Sequence, residues 1–448
     1  MFLLYNSLTQ KKEPISQSPL KLYVCGLTVY DKAHIGHLRT MLTFDLLIRY
    51  LRSQNKEVIY VRNITDVDDK IIARMQKENR TWEVLTQSVI DDIKVQEHAL
   101  SLIQPNSEPK ASEYIPQMID MIQILIDQDY AYVAKNNDVY FSISSYRDYG
   151  KLSKQRVDEL LKTSRVDGEV KKAQGDFILW KQSKPNEPFW DSPWGKGRPG
   201  WHIECSAIST SSLGDTFDIH GGGVDLKFPH HENEIAQSVC ATKAPFAKLW
   251  MHVGHLLVNQ EKMSKSLNNF ITVEDFLNDY DPELIRLFLL KTHYRQPYNF
   301  TVSAVEEMQK VLLGFYLSIW NRAAVAFDES NSYWLKFIQA LEDDLNVAKA
   351  LAVMHEVSLN ISNDSSLASI LVKMGSIFGI LQIDPSVFLQ GRYNKNEIEL
   401  QIKNRKAARE ERNFTLADKI RDGLTKKSIM IEDGLSTRWY DEKAGILL

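Results

Sequence analysis

Along the first third of the chain the apolar positions switch between two periods, and the switches mark the elements. KLYVCGLTVYD, residues 21–31, is rich in β-branched and aromatic residues and predicts a strand. In the following HIGHLRTMLTFDLLIRYLRSQ, Leu38, Met41, Leu42, Leu46 and Ile48 recur near helical spacing. A second apolar run, EVIYVRNITD at 57–66, reads as another buried strand. Strand, helix and strand at this spacing make a βαβ unit with a right-handed crossover. The fold expected is α/β: a Rossmann-type, doubly wound parallel sheet, with ligands at the carboxyl ends of its strands.

Residues 81–128 read as helical, with TWEVLTQSVIDDIKVQEHAL and YIPQMIDMIQILID both amphipathic. DYAYVAKNNDVYFSIS, residues 129–144, alternates about an Asn-Asn-Asp turn and predicts a hairpin. KQSKPNEPFWDSPWGKGRPGW, with four prolines, predicts a loop-rich segment. A module inserted at about 118–198 is therefore expected within a catalytic-type domain of residues 1–301. Sheet-like sequence resumes with FDIHGGGVDL and WMHVGHLLVNQ. From 302 to 390 the apolar periodicity is helical, predicting an all-α bundle. After the polar QGRYNKNE, residues 391–448 read as a small α+β unit.

Composition narrows the class without naming a function. The 448 residues are 44% hydrophobic and 25% charged, ordinary for a globular chain, and no apolar run approaches a membrane span. MFLLYNSLTQKKEP has no basic start and no cleavage-site pattern, so it does not read as a signal peptide. Three cysteines, Cys25, Cys205 and Cys240, argue against a disulfide framework and for a reducing cytoplasm. A net charge of −4 makes any RNA binding a matter of local patches. A monomer is the default expectation.

Two motifs carry chemistry. His34-Ile35-Gly36-His37 falls where the first strand gives way to the first helix, whose N-terminal N–H groups and dipole suit phosphate. Two imidazoles three apart can donate to phosphate oxygens, and Gly36 lets a planar base approach the backbone. Ordinary histidines, or half of a metal site, fit those four residues as well. In Lys262-Met263-Ser264-Lys265-Ser266, two ammonium groups beside small hydroxyls form a clamp for a departing pyrophosphate. A solvated basic turn is the plainer reading of that pentapeptide.

Taken together with YVCGLTVYDKAHIGHLRT, RNITDVDDKI, GWHIECSAIS, DIHGGGVDLKFPHHENEIAQS and EKMSKSL, the motifs resemble those of class I aminoacyl-tRNA synthetases. Their order and spacing are similar to the cysteinyl-tRNA synthetase family, from the first strand to the C-terminus. One departure is Asn268-Asn269, where that family usually has glycine after KMSKSL.

The resemblance implies ATP-dependent activation of L-cysteine, with Mg2+ accompanying ATP, and transfer to tRNA(Cys). It implies His34, His37, Lys262 and Lys265 as catalytic groups, with Gly36, Gly222 and Ser266 joining them around ATP. Gly26, Thr65, Trp201, His220 and Asp225 would shape the amino-acid pocket, and Gly221-Gly222-Gly223 would admit the nucleotide. It places one Zn2+ on Cys25, Cys205, His230 and Glu234. Thiolate, imidazole and carboxylate all bind zinc, and His230 and Glu234 share a helical face. His231 reads as a neighbour of that site or a surface group, and Cys240 as a small buried hydrophobe. In the tail, Lys403, Arg405, Lys406, Arg409 and Arg412 form a candidate phosphate stripe. Arg409, Asp418, Asp433 and Trp439 are candidates for reading anticodon bases. Two other readings stand beside this one: a cysteine:amino-sugar ligase, and a catalytically silent, zinc-stabilised RNA-binding protein.

Overall fold

A computed structural model gives the fold and describes residues 1–155, 171–263, 269–323, 325–433 and 437–447. The chain divides into two compact units, one of residues 1–256 with 294–298 and 342–344, the other of the remainder.

The first unit is built on four parallel strands: β1 (Leu20–Val24), β2 (Val58–Arg62), β3 (Phe217–Gly223) and β4 (Ala247–Val253). Their spatial order is β4-β3-β1-β2, with Leu22 opposite Tyr60 on one side and Ile219 on the other. Leu20, Leu22, Tyr23 and Val24 are all buried, as a central parallel strand covered on both faces requires. Helix α1 (Ile35–Ser53) makes the crossover from β1 to β2. Helices α2 (Trp201–Leu213) and α3 (His230–Thr242) flank β3 in the chain. Because β1 has β2 on one side and β3 on the other, the strand order reverses between β1 and β3. That reversal opens a crevice at their carboxyl ends.

The strand predicted over 21–31 ends at Val24, because Cys25 and Gly26 turn away to cross the backbone of Asn63. The apolar start also forms structure, Leu3–Asn6 pairing antiparallel with Lys11–Pro14. The expected hairpin pairs Ala131 with Phe141 and belongs to a four-stranded antiparallel sheet with Phe177–Gln182 and Gly197–Pro199. The helical region expected over 81–128 holds two helices with a non-helical stretch between them. Helices occupy Trp82–Ala99 and Ile115–Asp127, and between them Ser107 and Lys110 bridge to Val61 and Ile64. Those bridges extend the edge of the sheet beyond β2, which a helical turn there could not do.

The second unit is mainly helical, including Val302–Ile319, Val347–Asn360 and Leu367–Phe378. It ends in two helices, Lys395–Glu410 and Phe414–Thr425, and a hairpin of Ile429–Glu432 with Arg438–Asp441. Among the described residues no helix is long and apolar enough to cross a membrane.

Candidate functional site

The residues named from distant segments meet at the carboxyl ends of β1 and β3. Cys25 follows β1, Cys205 lies one turn into α2, and His230 and Glu234 occupy the first turns of α3. One ligand atom from each of the four falls within 4.8 Å of the others. The two sulfurs are 3.8 Å apart, close to the roughly 3.75 Å that two thiolates take at about 2.3 Å from a tetrahedral zinc. A second donor set, Cys25, His220, His231 and Glu234, meets the same criterion and shares two members with the first.

Burial sets the electrostatics of this cluster, which is compatible with a metal site. Burial, and then Cys205 beside it, push the Cys25 thiol well above its ordinary range. Burial likewise raises the Glu234 carboxyl and lowers the His230 and His220 imidazoles. His220 Nε2 lies 2.7 Å from Glu234 Oε2, and His230 Nε2 lies 3.1 Å from Glu234 Oε1. A divalent ion reverses these preferences by stabilising thiolate and carboxylate.

Besides His220, three more buried histidines of the described residues lie around the cluster. His231, expected as a neighbour or a surface group, is wholly buried, with Nε2 3.3 Å from Cys25 Sγ. Its Nδ1 is 2.9 Å from His252 Nε2, and His252 Nδ1 is 2.8 Å from Ser7 Oγ. His202 Nδ1 is 2.8 Å from His230 Nδ1, and Trp201 stacks on His230 with ring centroids 4.2 Å apart. Sequence reasoning missed His202, His252 and Ser7. The signal was there in WMHVG, where a histidine interrupts an otherwise apolar strand.

His34 and His37 sit at the start of α1, where their Nδ1 atoms are engaged by the helix end itself. His34 is the N-cap: its Nδ1 accepts from Gly36 N at 3.1 Å and His37 N at 3.2 Å. His37 Nδ1 faces His34 N at 3.4 Å, and the rings stack at 3.5 Å. Two of the N–H groups expected to be open to phosphate are therefore occupied by His34 itself. The gain is tautomeric. With both Nδ1 atoms accepting, each neutral ring carries its proton on Nε2. Burial lowers the His34 pKa to about 4, opposed in part by Asp225.

Thr65 is buried and pinned by backbone bonds to Leu27 and Val29. His220 is buried in β3, whereas Asp225 is exposed just beyond it. The glycine run is dictated partly by packing. A Cβ at Gly221 would lie 2.2 Å from the Phe44 ring, and one at Gly222 would lie 3.0 Å from His231. Gly26 meets a harder limit, 1.5 Å from the carbonyl oxygen of Asn63. A cavity of about 600 Å³ opens beside Trp201 and His202, lined also by Asp68, Arg198 and Phe228.

Lys262 lies in the short strand Glu261–Lys262. Lys265, Ser266 and Asn268 fall outside the described residues. In the C-terminal unit, Arg409 and Asp418 are exposed. Asp433 accepts from Arg405 at 2.8 Å through both oxygens and from Arg409 at 2.9 Å. Two expectations are corrected there. Trp439 is 3% exposed and packs with Ile398, Leu424 and Ile429, so it is core and not a stacking surface. Arg405 is buried against Asp433, which removes it from the phosphate stripe. Among the described residues after 390, Phe414 is an exposed aromatic.

A parallel sheet with an inserted antiparallel module, a HIGH-type helix cap and a crevice at the strand-order reversal defines a class I aminoacyl-tRNA synthetase. Solved structures show the same fold. The chain matches Mycobacterium tuberculosis methionyl-tRNA synthetase with methionyl-adenylate at TM-score 0.58 and 12% identity, over 81% of this chain and 90% of that one. Against a ternary complex of Agrobacterium radiobacter LeuRS the values are 0.57 and 11%, over 82% and 84%. Residues 11–310 match the tRNA synthetases class I (C) catalytic domain, and residues 336–382 the DALR domain.

Cysteine–tRNA ligase of Legionella pneumophila (strain Corby) is 48% identical over 98% of this chain and 99% of its own length. That of Coxiella burnetii (strain Dugway 5J108-111) is 46% identical over 98% and 100%. The chain belongs to the cysteine–tRNA ligase family.

Proposed function

We propose that this chain joins cysteine to tRNA(Cys) in two steps, with Cys25, Cys205, His230 and Glu234 holding a zinc ion that reads the substrate's sulfur. The cysteine carboxylate attacks the α-phosphate of ATP, giving cysteinyl-adenylate and pyrophosphate. The terminal ribose hydroxyl of the tRNA then attacks the adenylate carbonyl, releasing AMP. The observation that carries this reading is the convergence of the four donors within 4.8 Å beside the nucleotide crevice. When bound, zinc supplies a soft Lewis acid that prefers an ionisable thiol to a hydroxyl. Selection against serine then needs no editing site, although shape alone discriminates such isosteres poorly.

The remaining work falls to side chains. Neutral His34 and His37 direct Nε2–H at the triphosphate of Mg2+-bound ATP, while Lys262, Lys265 and Ser266 stabilise charge on the departing pyrophosphate. Gly36 and Gly222 leave backbone room for the nucleotide. Gly26, Thr65, Trp201, His220 and Asp225 orient the amino acid, so catalysis is positioning plus electrostatics without a covalent enzyme intermediate. Arg409, Asp418 and Asp433 are the base-reading groups of the anticodon, with the exposed Phe414 as the stacking surface beside them. Full-length similarity to the ligases, including this C-terminal part, favours tRNA over an amino sugar as acceptor. The enzyme acts as a cytoplasmic monomer.

Cysteine-dependent ATP–pyrophosphate exchange and metal content, measured together on wild type and Cys205→Ser, test the reading. The variant is expected to lose both. Serine activation within about a hundredfold of cysteine by the zinc-loaded wild type would contradict it. Arg409→Glu should raise KM for tRNA and leave exchange intact; unchanged aminoacylation would remove the anticodon assignment.

A further inference from the structure

Asn63 directly follows β2, is 1% exposed, and has three partners on its side chain. Its Oδ1 accepts from Gly26 N at 2.9 Å and lies 3.6 Å from Cys205 Sγ. Its Nδ2 donates to Thr65 Oγ1 at 3.1 Å. One amide therefore touches the turn after Cys25, the thiol of Cys205 and the hydroxyl of Thr65.

Chemistry fixes the amide's orientation. Only its oxygen can accept from Gly26 N–H, so the NH2 group must face Thr65. Thr65 Oγ1 uses one lone pair on that donor. The amide thus orients the Thr65 hydroxyl from the Asn63 side. Asn63 is itself held firmly. Arg62, one residue back, is buried and donates through Nε to Glu108 at 2.8 Å, and it also pairs with Glu97.

We propose that Asn63 is the positioning residue that couples amino-acid recognition to the cysteine ligands. It acts through Thr65 on one side and the Cys25–Gly26 turn on the other. This rests on the function proposed above. Neither group does its work alone: Thr65 must orient the amino acid while Cys25 and Cys205 hold the ion that reads its side chain. A single amide bonded to both sides sets the distance between them.

The test is a double-mutant cycle in cysteine-dependent ATP–pyrophosphate exchange on wild type, Asn63→Ala, Thr65→Val and the pair. KM for cysteine and for ATP are determined separately, with zinc content after chelator dialysis and thermal melts. Asn63→Ala should raise cysteine KM about tenfold, the weight of one hydrogen bond, leave ATP KM within about twofold, and lower retained zinc. The double variant should be no worse than the poorer single one, because both remove the same link. Asn63→Asp covers the case in which alanine does not fold. It keeps the shape and the acceptor for Gly26 but cannot donate to Thr65, so a normal melt with a raised cysteine KM supports the inference. Unchanged cysteine KM in Asn63→Asp, or effects of Asn63→Ala and Thr65→Val that multiply, would overturn it while leaving the proposed function standing. A wild type without cysteine-dependent exchange would sink the function, and this inference with it.

Discussion

Gly26→Ala adds one methyl group at the most crowded point of the site. The backbone conformation of Gly26 is open to alanine, since its φ is not among the positive values of the chain. The cost is therefore steric. The new Cβ would sit 1.5 Å from Asn63 O and 2.7 Å from Asn63 C, against 3.4 Å or more for ordinary contact. One of the two backbones must yield by about 1.9 Å, and neither is a flexible side chain. Metal-ligand distances hold to about ±0.2 Å, so a shift of that size beside Cys25 takes its sulfur out of reach of Cys205 and Glu234. Misplacement by 1 Å costs about a hundredfold in rate, whereas overpacking costs roughly 1–3 kcal/mol of stability. The variant should therefore stay folded, lose most of its zinc, and fall at least about a hundredfold in cysteine-dependent exchange. Zinc per chain, a thermal melt and exchange kinetics on one preparation give the answer. A variant with full zinc and cysteine kcat/KM near wild type would refute the reasoning.

Gly314 provides the opposite case: it is exposed within helix Val302–Ile319, and a methyl group added there would meet nothing within 4 Å. Gly314→Ala should raise stability by about 1 kcal/mol in urea denaturation without touching exchange; a loss would show that the helix is not formed there. Glu283→Ala strips the acceptor from Leu381 N, Gln382 N and Tyr316 Oη, at 2.7, 2.8 and 2.7 Å. It should cost about 3–5 kcal/mol, and the isosteric Glu283→Gln clearly less. The depressed pKa of His34, about 4 instead of 6.5, fixes a sign. Its contribution to stability is complete above the unfolded value of 6.5 and is lost as pH falls towards 4. Nitrogen-15 NMR should show the Nε2–H tautomer at neutral pH, and a ring that titrates near 6.5 would contradict the cap.

The sheet was legible because period-two and period-3.6 patterns alternate over the first sixty residues, and each pattern has one geometric solution. Residues 100–114 were not, since SLIQPNSEPK sits between two amphipathic runs and its pairing partners, Val61 and Ile64, lie some forty-five residues away. His34 escaped as a cap because capping preference favours short oxygen-bearing side chains, and an imidazole reaches its N–H groups only once the turn is built. Trp439 misled because tryptophan stacks well on bases, but a residue's chemistry does not say which way it points. Strand alternation does: in Arg438–Asp441 the second and fourth residues are buried, and Trp439 is the second.

The site separates these two kinds of knowledge. Cys25, Cys205, His230 and Glu234 could be named from family motifs, yet nothing in their spacing brings them together, because three segments must first be placed by the sheet. Asn63 could not be named at all. It has no metal-binding group and no charge, and it stands out only when the turn of Gly26 is seen to lie on its backbone while its amide reaches Thr65 and Cys205. Residues that react are chosen by chemistry and so leave a mark in the sequence. Residues that hold the reacting ones apart at the right distance are chosen by shape, and they become visible only after folding has put their partners around them.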